Sequence, residues 1–367
     1  MSIPESTTKV YIKTAPNNSI NFEFNQPDST FEIKQTSLGS ELKEGEILVE
    51  TLYLSNDPTQ RGWINPKLDT SRSYMPPVLP GSPMQSMGIA KVLKSNSEKY
   101  KVGDVVTGKI EWATHSILDE TRMFNKIDVS AGLPLELYLS ILGVTGLTAY
   151  FGLIEAGGLR KILENPVKEG EKVPIVCISA ASGATGSVAV QIAKNILGAK
   201  VIGITGSDEK CKYVESIGAD LGVNYNDPKY KEKISEFVGT DFIDVYFDNV
   251  GGEILSFVLT RMKRFGRVIA CGAISGYNTP VNVTTWNEII TMSLTVEGFI
   301  VLNYLPKFPE AVNALAGALK SGKIKLNDAY HVKELSGTDA EKLEQVPQIW
   351  NLLFTDKPVG KLLTKFT

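Results

Sequence analysis

The sequence predicts an α/β protein in which a doubly wound parallel sheet is inserted into a separate β domain. Three observations carry that prediction. At 367 residues and 43% apolar content, the chain is longer than one ordinary domain and carries enough core-forming side chains for two. Up to about residue 140 it reads as short strands broken by Gly and Pro turns, as in EGEILVETLYLS, GIAKVLKS and KVGDVVTGKIEWATHSIL. From Val173 the texture changes to apolar strand, glycine turn and helix, repeated several times, the pattern of a parallel sheet covered by crossover helices. The expected limits are residues 1–140 for the β domain, 141–320 for the inserted α/β domain and 321–367 for a tail that rejoins the first domain. The cleft between two such domains is the expected ligand site.

The strands expected in the inserted domain are Val173–Ala180, Lys200–Thr205, Ile243–Val250, Gly266–Ala273 and Ser293–Val301. Between them, GSVAVQIAKNIL places Val188, Ile192 and Ile196 at fourfold spacing and stops at Gly198. SDEKCKYVESI opens on Ser207 as N-cap and stops at Gly218. A third helix is expected over Pro309–Gly322, and the final VGKLLTKF is expected to return to the β domain.

Composition excludes some classes. The formal charge is −3, with 38 Lys and Arg spread among 41 Asp and Glu, so no basic stripe exists to hold a phosphate backbone and nucleic acid is not an expected partner. The opening MSIPESTTKVYIK has no long apolar segment, and no later run reaches the ~18 to 20 apolar residues that span a bilayer. The expected location is therefore the cytoplasm, with the nucleus as a further one, and no membrane partner. Cys177, Cys211 and Cys271 lie far apart without CxxC spacing, and are read as reduced and non-catalytic.

Directly after the first strand the chain reads Ala180-Ala181-Ser182-Gly183-Ala184-Thr185-Gly186, a dinucleotide turn in which Ala180 stands at the usual first glycine. Gly183 would let the backbone approach a pyrophosphate, Gly186 would let the helix pack on the strand, and the helix N-terminus would face the phosphate charge. NAD enzymes carry an acidic residue about 20 positions on, for the ribose 2′-hydroxyl. Here Gly206 holds that place, followed by Ser207 and Lys210. A 2′-phosphate fits a hydroxyl, a helix start and a lysine one turn on, so NADP(H) is the expected cofactor. The plainer reading is that Ser207 only caps the helix and Lys210 is solvated. Asn249, before Gly251-Gly252, is either a cofactor ligand at a strand end or an Asx turn before a helix.

Taken in order, SNDPTQRGW (Ser55–Trp63), LGVTGLTAYFGL (Leu142–Leu153), SAASGATGSVAVQIAK (Ser179–Lys194), GSDEKCKYV (Gly206–Val214), YFDNVGGE (Tyr246–Glu253), FGRVIACGAISGYN (Phe265–Asn278) and VEGFIV (Val296–Val301) resemble one family over nearly the whole chain. It is the zinc-independent medium-chain dehydrogenase/reductase family, in its leukotriene B4 12-hydroxydehydrogenase, prostaglandin reductase and 2-alkenal reductase branch, fungal relatives included. The resemblance implies a Rossmann-type domain inserted into a GroES-like β-barrel domain, and a homodimer paired through the edge strand near VEGFIV. It implies that Lys210 and Tyr225 hold the 2′-phosphate and that Asn249 touches the cofactor. It further implies that the loop of Cys271, Gly272, Ala273, Ile274 and Ser275, continuing to Tyr277, lines the nicotinamide and diphosphate, and that Phe299, Ile300 and Val301 meet the carboxamide edge. Tyr277 is implied to lie nearest the substrate carbonyl. Two departures stand out: residues Arg160–Val167 look inserted, and Pro358 stands where relatives often carry a cofactor-contacting asparagine.

Zinc dehydrogenases of this superfamily carry a Gly-His-Glu segment and a four-cysteine lobe. This chain reads PGSPMQSMGIAKV (Pro80–Val92) instead, and with only His115 and His331 and no cysteine cluster a three-ligand zinc site of nitrogen and sulfur is not expected. Hydride must then go to an acceptor that is already electrophilic, such as the β-carbon of an α,β-unsaturated aldehyde or ketone. The protein must supply a hydrogen-bond donor to the developing enolate oxygen, and Tyr277 is the candidate, with packing in a turn as its plainer role. Asp57 and Arg61 read as a structural ion pair. The alternatives are an NADPH quinone oxidoreductase on the same fold and a non-catalytic NADPH-binding protein.

Overall fold

The computed structural model describes residues 4–39, 41–168, 170–356 and 358–367. They fall into two compact units, residues 1–139 with 330–367, and residues 140–329. In chain order the first unit holds β1 (Ser6–Ile12), β2 (Phe31–Ser37), β3 (Glu46–Ser55), β4 (Gln85–Ser95), β5 (Val105–Glu111), β6 (His115–Asp119) and β7 (Met123–Lys126). The second holds β8 (Ile175–Ser179), β9 (Lys200–Thr205), β10 (Leu221–Asn224), β11 (Ile243–Asp248), β12 (Met262–Ala270) and β13 (Thr295–Gly298). The chain then returns to the first unit with β14 (Tyr330–Glu334) and β15 (Lys361–Lys365).

The first unit is a seven-stranded sheet, β14-β15-β3-β4-β5-β7 with β6 on β3, beside the antiparallel pair β1-β2. The C-terminal β15 lies antiparallel to β3, with Leu363 opposite Ser55. An aromatic cluster fills the core: the rings of Phe31 and Trp112 lie 5.7 Å apart and those of Trp112 and Trp350 lie 5.9 Å apart, the second pair edge-on. Trp350 arrives on helix Asp339–Asn351, which opens with a capping box between Thr338 and Glu341.

One expectation is corrected here. Asp57 pairs with Lys361 instead of Arg61. Lys361 is 2% exposed and also donates from Nζ to Asn56 O at 3.1 Å, while Arg61 sends Nη2 to the carbonyls of Pro16 and Asn18 at 3.3 and 3.0 Å. A buried ammonium needs a nearby anion far more than a guanidinium that can satisfy itself on backbone carbonyls.

The second unit is one six-stranded parallel sheet of order β10-β9-β8-β11-β12-β13. Numbered within the unit this is 3-2-1-4-5-6, the Rossmann order, which reverses between β8 and β11. Every residue of β8 is buried, as a central parallel strand covered on both faces requires. Cys177, Ile202, Val223 and Tyr246 of the strands share one core cluster with Ile234 and Val258 of the helices Tyr230–Val238 and Gly252–Leu259. The helix Ala184–Gln191 continues as a π-turn over Ile192–Ile196, helix Asp208–Ser216 starts on Ser207, and helix Phe308–Lys320 matches the third expected one. The strand β10 was not among those expected: it is only four residues long and carries one glycine, Gly222, packed so closely that a Cβ there would lie 2.7 Å from Cys211 O.

Candidate functional site

In a parallel sheet all carboxyl ends open on one edge, and ligands bind there at the point where the strand order reverses. Each candidate residue of the second unit follows the carboxyl end of one of these six strands. Ser182 to Gly186 follow β8, Gly206 to Lys210 follow β9, Tyr225 follows β10, Asn249 follows β11, Cys271 to Tyr277 follow β12, and Phe299 to Val301 follow β13.

After β8 the chain turns sharply at Ala180, which sits at φ +47°, a left-handed conformation that costs an L-residue about 1 kcal/mol relative to glycine. Gly183 N–H donates to Ala180 O at 2.9 Å and closes the turn. A Cβ on Gly186 would lie 2.2 Å from Ala180 O and 2.8 Å from Ala181 Cα, whereas one on Gly183 would meet only Ala180 O, at 3.3 Å. The fold itself therefore demands Gly186. No side chain caps the helix that begins at Ala184, so its first N–H groups and the positive end of its dipole face outward from the strand end.

After β9, Ser207 Oγ accepts Lys210 N–H at 3.3 Å, so the serine caps its helix. A Cβ on Gly206 would approach Tyr225 Oη to 3.0 Å, and Asn226 Nδ2 donates to Gly206 O at 2.8 Å. The tyrosine hydroxyl is thereby held beside the start of the helix that carries Lys210. The acidic neighbour Asp208 accepts from Asn224 Nδ2 at 2.9 Å.

Asn249 spans the reversal point: its N–H donates to Ser179 Oγ at 2.9 Å and its Nδ2 to Ser179 O at 2.7 Å. The Asx turn considered for Asn249 is made by Asp248, whose Oδ1 accepts from Val250 N at 3.0 Å and Gly251 N at 2.9 Å. The loop after β12 lies along this turn, with Ile274 N and Ser275 N donating to the carbonyls of Asn249 and Val250, each at 3.2 Å. Tyr277 is half-buried, and its Oη would lie 3.5 Å from a Cβ built on Gly272, which folds the phenol back over that loop. Phe299 packs near Tyr304, ring centroids 6.3 Å apart, and Val301 is buried.

The remaining titratable candidates lie elsewhere or are protected. His115 is on β6, where burial lowers its pKa, and His331 is on β14. Burial raises the thiol of Cys177, and burial with the nearby Asp248 carboxylate pushes Cys271 up to about 12, so neither is a ready thiolate. Among the described residues no group of three or more His, Cys, Asp or Glu is arranged to hold a metal ion, and no helix is long and apolar enough to cross a membrane. Sequence reasoning overlooked Asp248 and Ser179. The only signal was the run Phe247-Asp248-Asn249 at a strand end, in which Asn249 drew the attention.

The Rossmann order, the close glycine turn and the uncapped helix at the reversal point define a dinucleotide-binding class of domain. Residues 21–126 match the family described as the N-terminal domain of oxidoreductase, and residues 184–317 match that described as zinc-binding dehydrogenase. The chain is 38% identical over 358 residues, 95% of each chain, to an uncharacterized membrane protein of Saccharomyces cerevisiae. It is 35% identical to the NADP(+)-dependent 2-alkenal reductase of Nicotiana tabacum, covering 91% of this chain and 92% of that one. Against prostaglandin reductase 1 of Mus musculus it is also 35% identical, with 94% and 96% covered. Among solved structures, CurA from Vibrio vulnificus superposes with a TM-score of 0.80 at 25% identity, covering 98% of this chain and 99% of that one. The Escherichia coli quinone oxidoreductase complexed with NADPH shares the fold, with a TM-score of 0.70 at 21% identity and the same coverage. This chain belongs to the medium-chain dehydrogenase/reductase family of oxidoreductases, in its zinc-independent branch. Its fold is accordingly a GroES-like domain with an inserted Rossmann domain.

Proposed function

We propose that this protein is an NADPH-dependent ene-reductase that saturates the carbon–carbon double bond of α,β-unsaturated aldehydes and ketones. The observation that carries the reading is the single carboxyl edge on which a phosphate turn, a lysine and tyrosine pair and a loop tyrosine stand together. The likeness to 2-alkenal reductase and prostaglandin reductase 1 supports the choice of acceptor. The residues fit the cofactor. The turn at Gly183 leaves no Cβ between backbone and pyrophosphate, and the uncapped helix start favours its charge. Lys210 and Tyr225 would hold the 2′-phosphate at the start of the helix after β9, beside Gly206 and Ser207. Asn249, the loop Cys271–Ser275 and Phe299–Val301 hold the nicotinamide half.

Bound NADPH supplies the hydride that reaches the β-carbon. Charge then develops on the carbonyl oxygen, and the hydroxyl of Tyr277 donates to it as the enolate forms. A proton from water at the α-carbon completes the reduction. NADPH absorbance followed with a medium-chain 2-alkenal or an enone tests this, with NADH, a quinone and a chelator as controls. Chelator-insensitive NADPH oxidation that yields the saturated carbonyl is the expected result. Turnover of quinone alone would move the reaction to quinone reduction, and tight NADPH binding without any turnover would make the protein a cofactor-binding one. Lys210→Ala is expected to raise KM for NADPH by about 10- to 100-fold, the worth of one charged hydrogen bond, while leaving KM for NADH nearly unchanged. An equal rise for both cofactors would remove Lys210 from the 2′-phosphate.

The assembly we propose is a homodimer. Strand β13 is the edge of the sheet, with Thr295, Val296 and Gly298 exposed, and an open edge invites pairing with its symmetry copy. Sedimentation is expected to give twice the chain mass, and Val296→Lys to shift it toward monomer; a wild-type monomer at micromolar concentration would refute the assignment.

A further inference from the structure

Four donors converge on one oxygen where the strand order reverses. Asp248 Oδ1 accepts from Tyr246 Oη at 2.9 Å, from Ser179 Oγ at 3.2 Å, and from the N–H groups of Val250 and Gly251 at 3.0 and 2.9 Å. The main-chain oxygen of the same residue accepts Cys271 N at 3.0 Å and Gly272 N at 3.1 Å. Ser179 ends β8, Asp248 ends β11, and Cys271 follows β12. One residue therefore ties three adjacent strand ends, and the serine it holds is the one that accepts Asn249 N–H.

A carboxyl 3% exposed is an expensive way to brace a sheet, since burying a charge costs more than its hydrogen bonds return unless the geometry is strict. Burial raises its pKa even against those hydrogen bonds. Apolar packing would join the strands as well. What the carboxyl does that packing cannot is set the direction of individual N–H groups and of the Asn249 side chain.

We infer that Asp248 is a positioning residue: its carboxyl, through Ser179 and the N–H groups of Val250 and Gly251, aims Asn249 and, through the carbonyls of Asn249 and Val250 that accept Ile274 N and Ser275 N, the Cys271–Ser275 loop at the nicotinamide half of the cofactor. The inference rests on the cofactor reading given above. It separates the two ends of the dinucleotide, because the 2′-phosphate end rests on Gly206, Lys210 and Tyr225, after β9 and β10, whereas Asp248 ties the ends of β8, β11 and β12.

The test uses the full chain, with fluorescence titration of NADPH and of adenosine 2′,5′-bisphosphate, which carries the phosphate end alone, alongside the NADPH oxidation assay. Asp248→Ala is expected to lower NADPH affinity and kcat by about tenfold or more, as a misplaced reacting group does, with bisphosphate affinity held within about twofold. Asp248→Asn, which keeps an accepting Oδ1, recovers most of both. Ser179→Ala, which removes one donor to the same oxygen, shows the same split at smaller size and decides the matter if Asp248→Ala does not fold. NADPH binding at the wild-type level in Asp248→Ala overturns the inference, as does equal loss of both ligands in Asp248→Ala and Ser179→Ala. A wild-type protein that binds NADPH yet reduces no enone removes the proposed reaction and leaves the binding split to judge Asp248. A wild-type protein that binds no NADPH sinks both.

Discussion

Tyr277→Phe is expected to lower kcat for enone reduction by about 100-fold while leaving NADPH affinity unchanged, the usual effect of deleting one donor from an oxyanion site. The phenylalanine keeps the ring that packs over the loop after β12, where the hydroxyl lies close to Gly272, so the loop should hold its shape. In the proposed reaction the lost atom is the donor to the enolate oxygen, which matters only as charge develops. Such a variant should therefore depress kcat and kcat/KM together and leave the cofactor titration alone. Stopped-flow hydride transfer and NADPH fluorescence measure the two quantities separately. A kcat within about threefold of wild type would mean that Tyr277 only packs in its turn, as a donor of this kind is worth far more.

The second large effect concerns two glycines that look alike in the sequence. Gly186→Ala places a Cβ 2.2 Å from Ala180 O and 2.8 Å from Ala181 Cα, backbone atoms that cannot move aside without shifting strand β8 or the helix. Overpacking of this kind costs about 1–3 kcal/mol or more, which lowers the melting temperature by several degrees in a domain of this size. The turn that moves is the phosphate turn, so NADPH binding should fail with it. Gly183→Ala meets only Ala180 O, at 3.3 Å, at a φ of −79° that any residue adopts. It should melt close to wild type and still lose NADPH affinity, because its Cβ intrudes on the ligand side. Calorimetry and titration of the pair would separate a glycine required by the fold from one required by the ligand. Equal melting temperatures for the two variants would refute that division.

Much of this was legible in consecutive residues. The run Ile175–Ile178 is apolar throughout because a central parallel strand is covered on both faces. Ser207 announces its helix because a side-chain oxygen at that position satisfies an N–H three residues on. The motifs quoted from Ser55 to Val301 were sufficient for the family, which the relatives confirm. Strand β10 was not legible, since four residues with a central glycine carry little periodic signal. Nor was Asp248: a carboxylate beside an asparagine at a strand end does not reveal which of the two is turned inward.

What the sequence determined by itself was whatever depends on neighbours in the chain: strand and helix periods, caps, the glycine turn, and the order of motifs that marks the family. The tertiary structure decided the partners of polar groups that lie far apart. Lys361 reaches Asp57, to which the sequence had assigned Arg61 only four residues away. Ser179 and Asp248 meet across the reversal of the sheet. Local pattern records which face of an element is buried, because water removal acts on each residue separately. It does not record which buried donor finds which acceptor, because that follows from the register of strands brought together only when the whole sheet has formed.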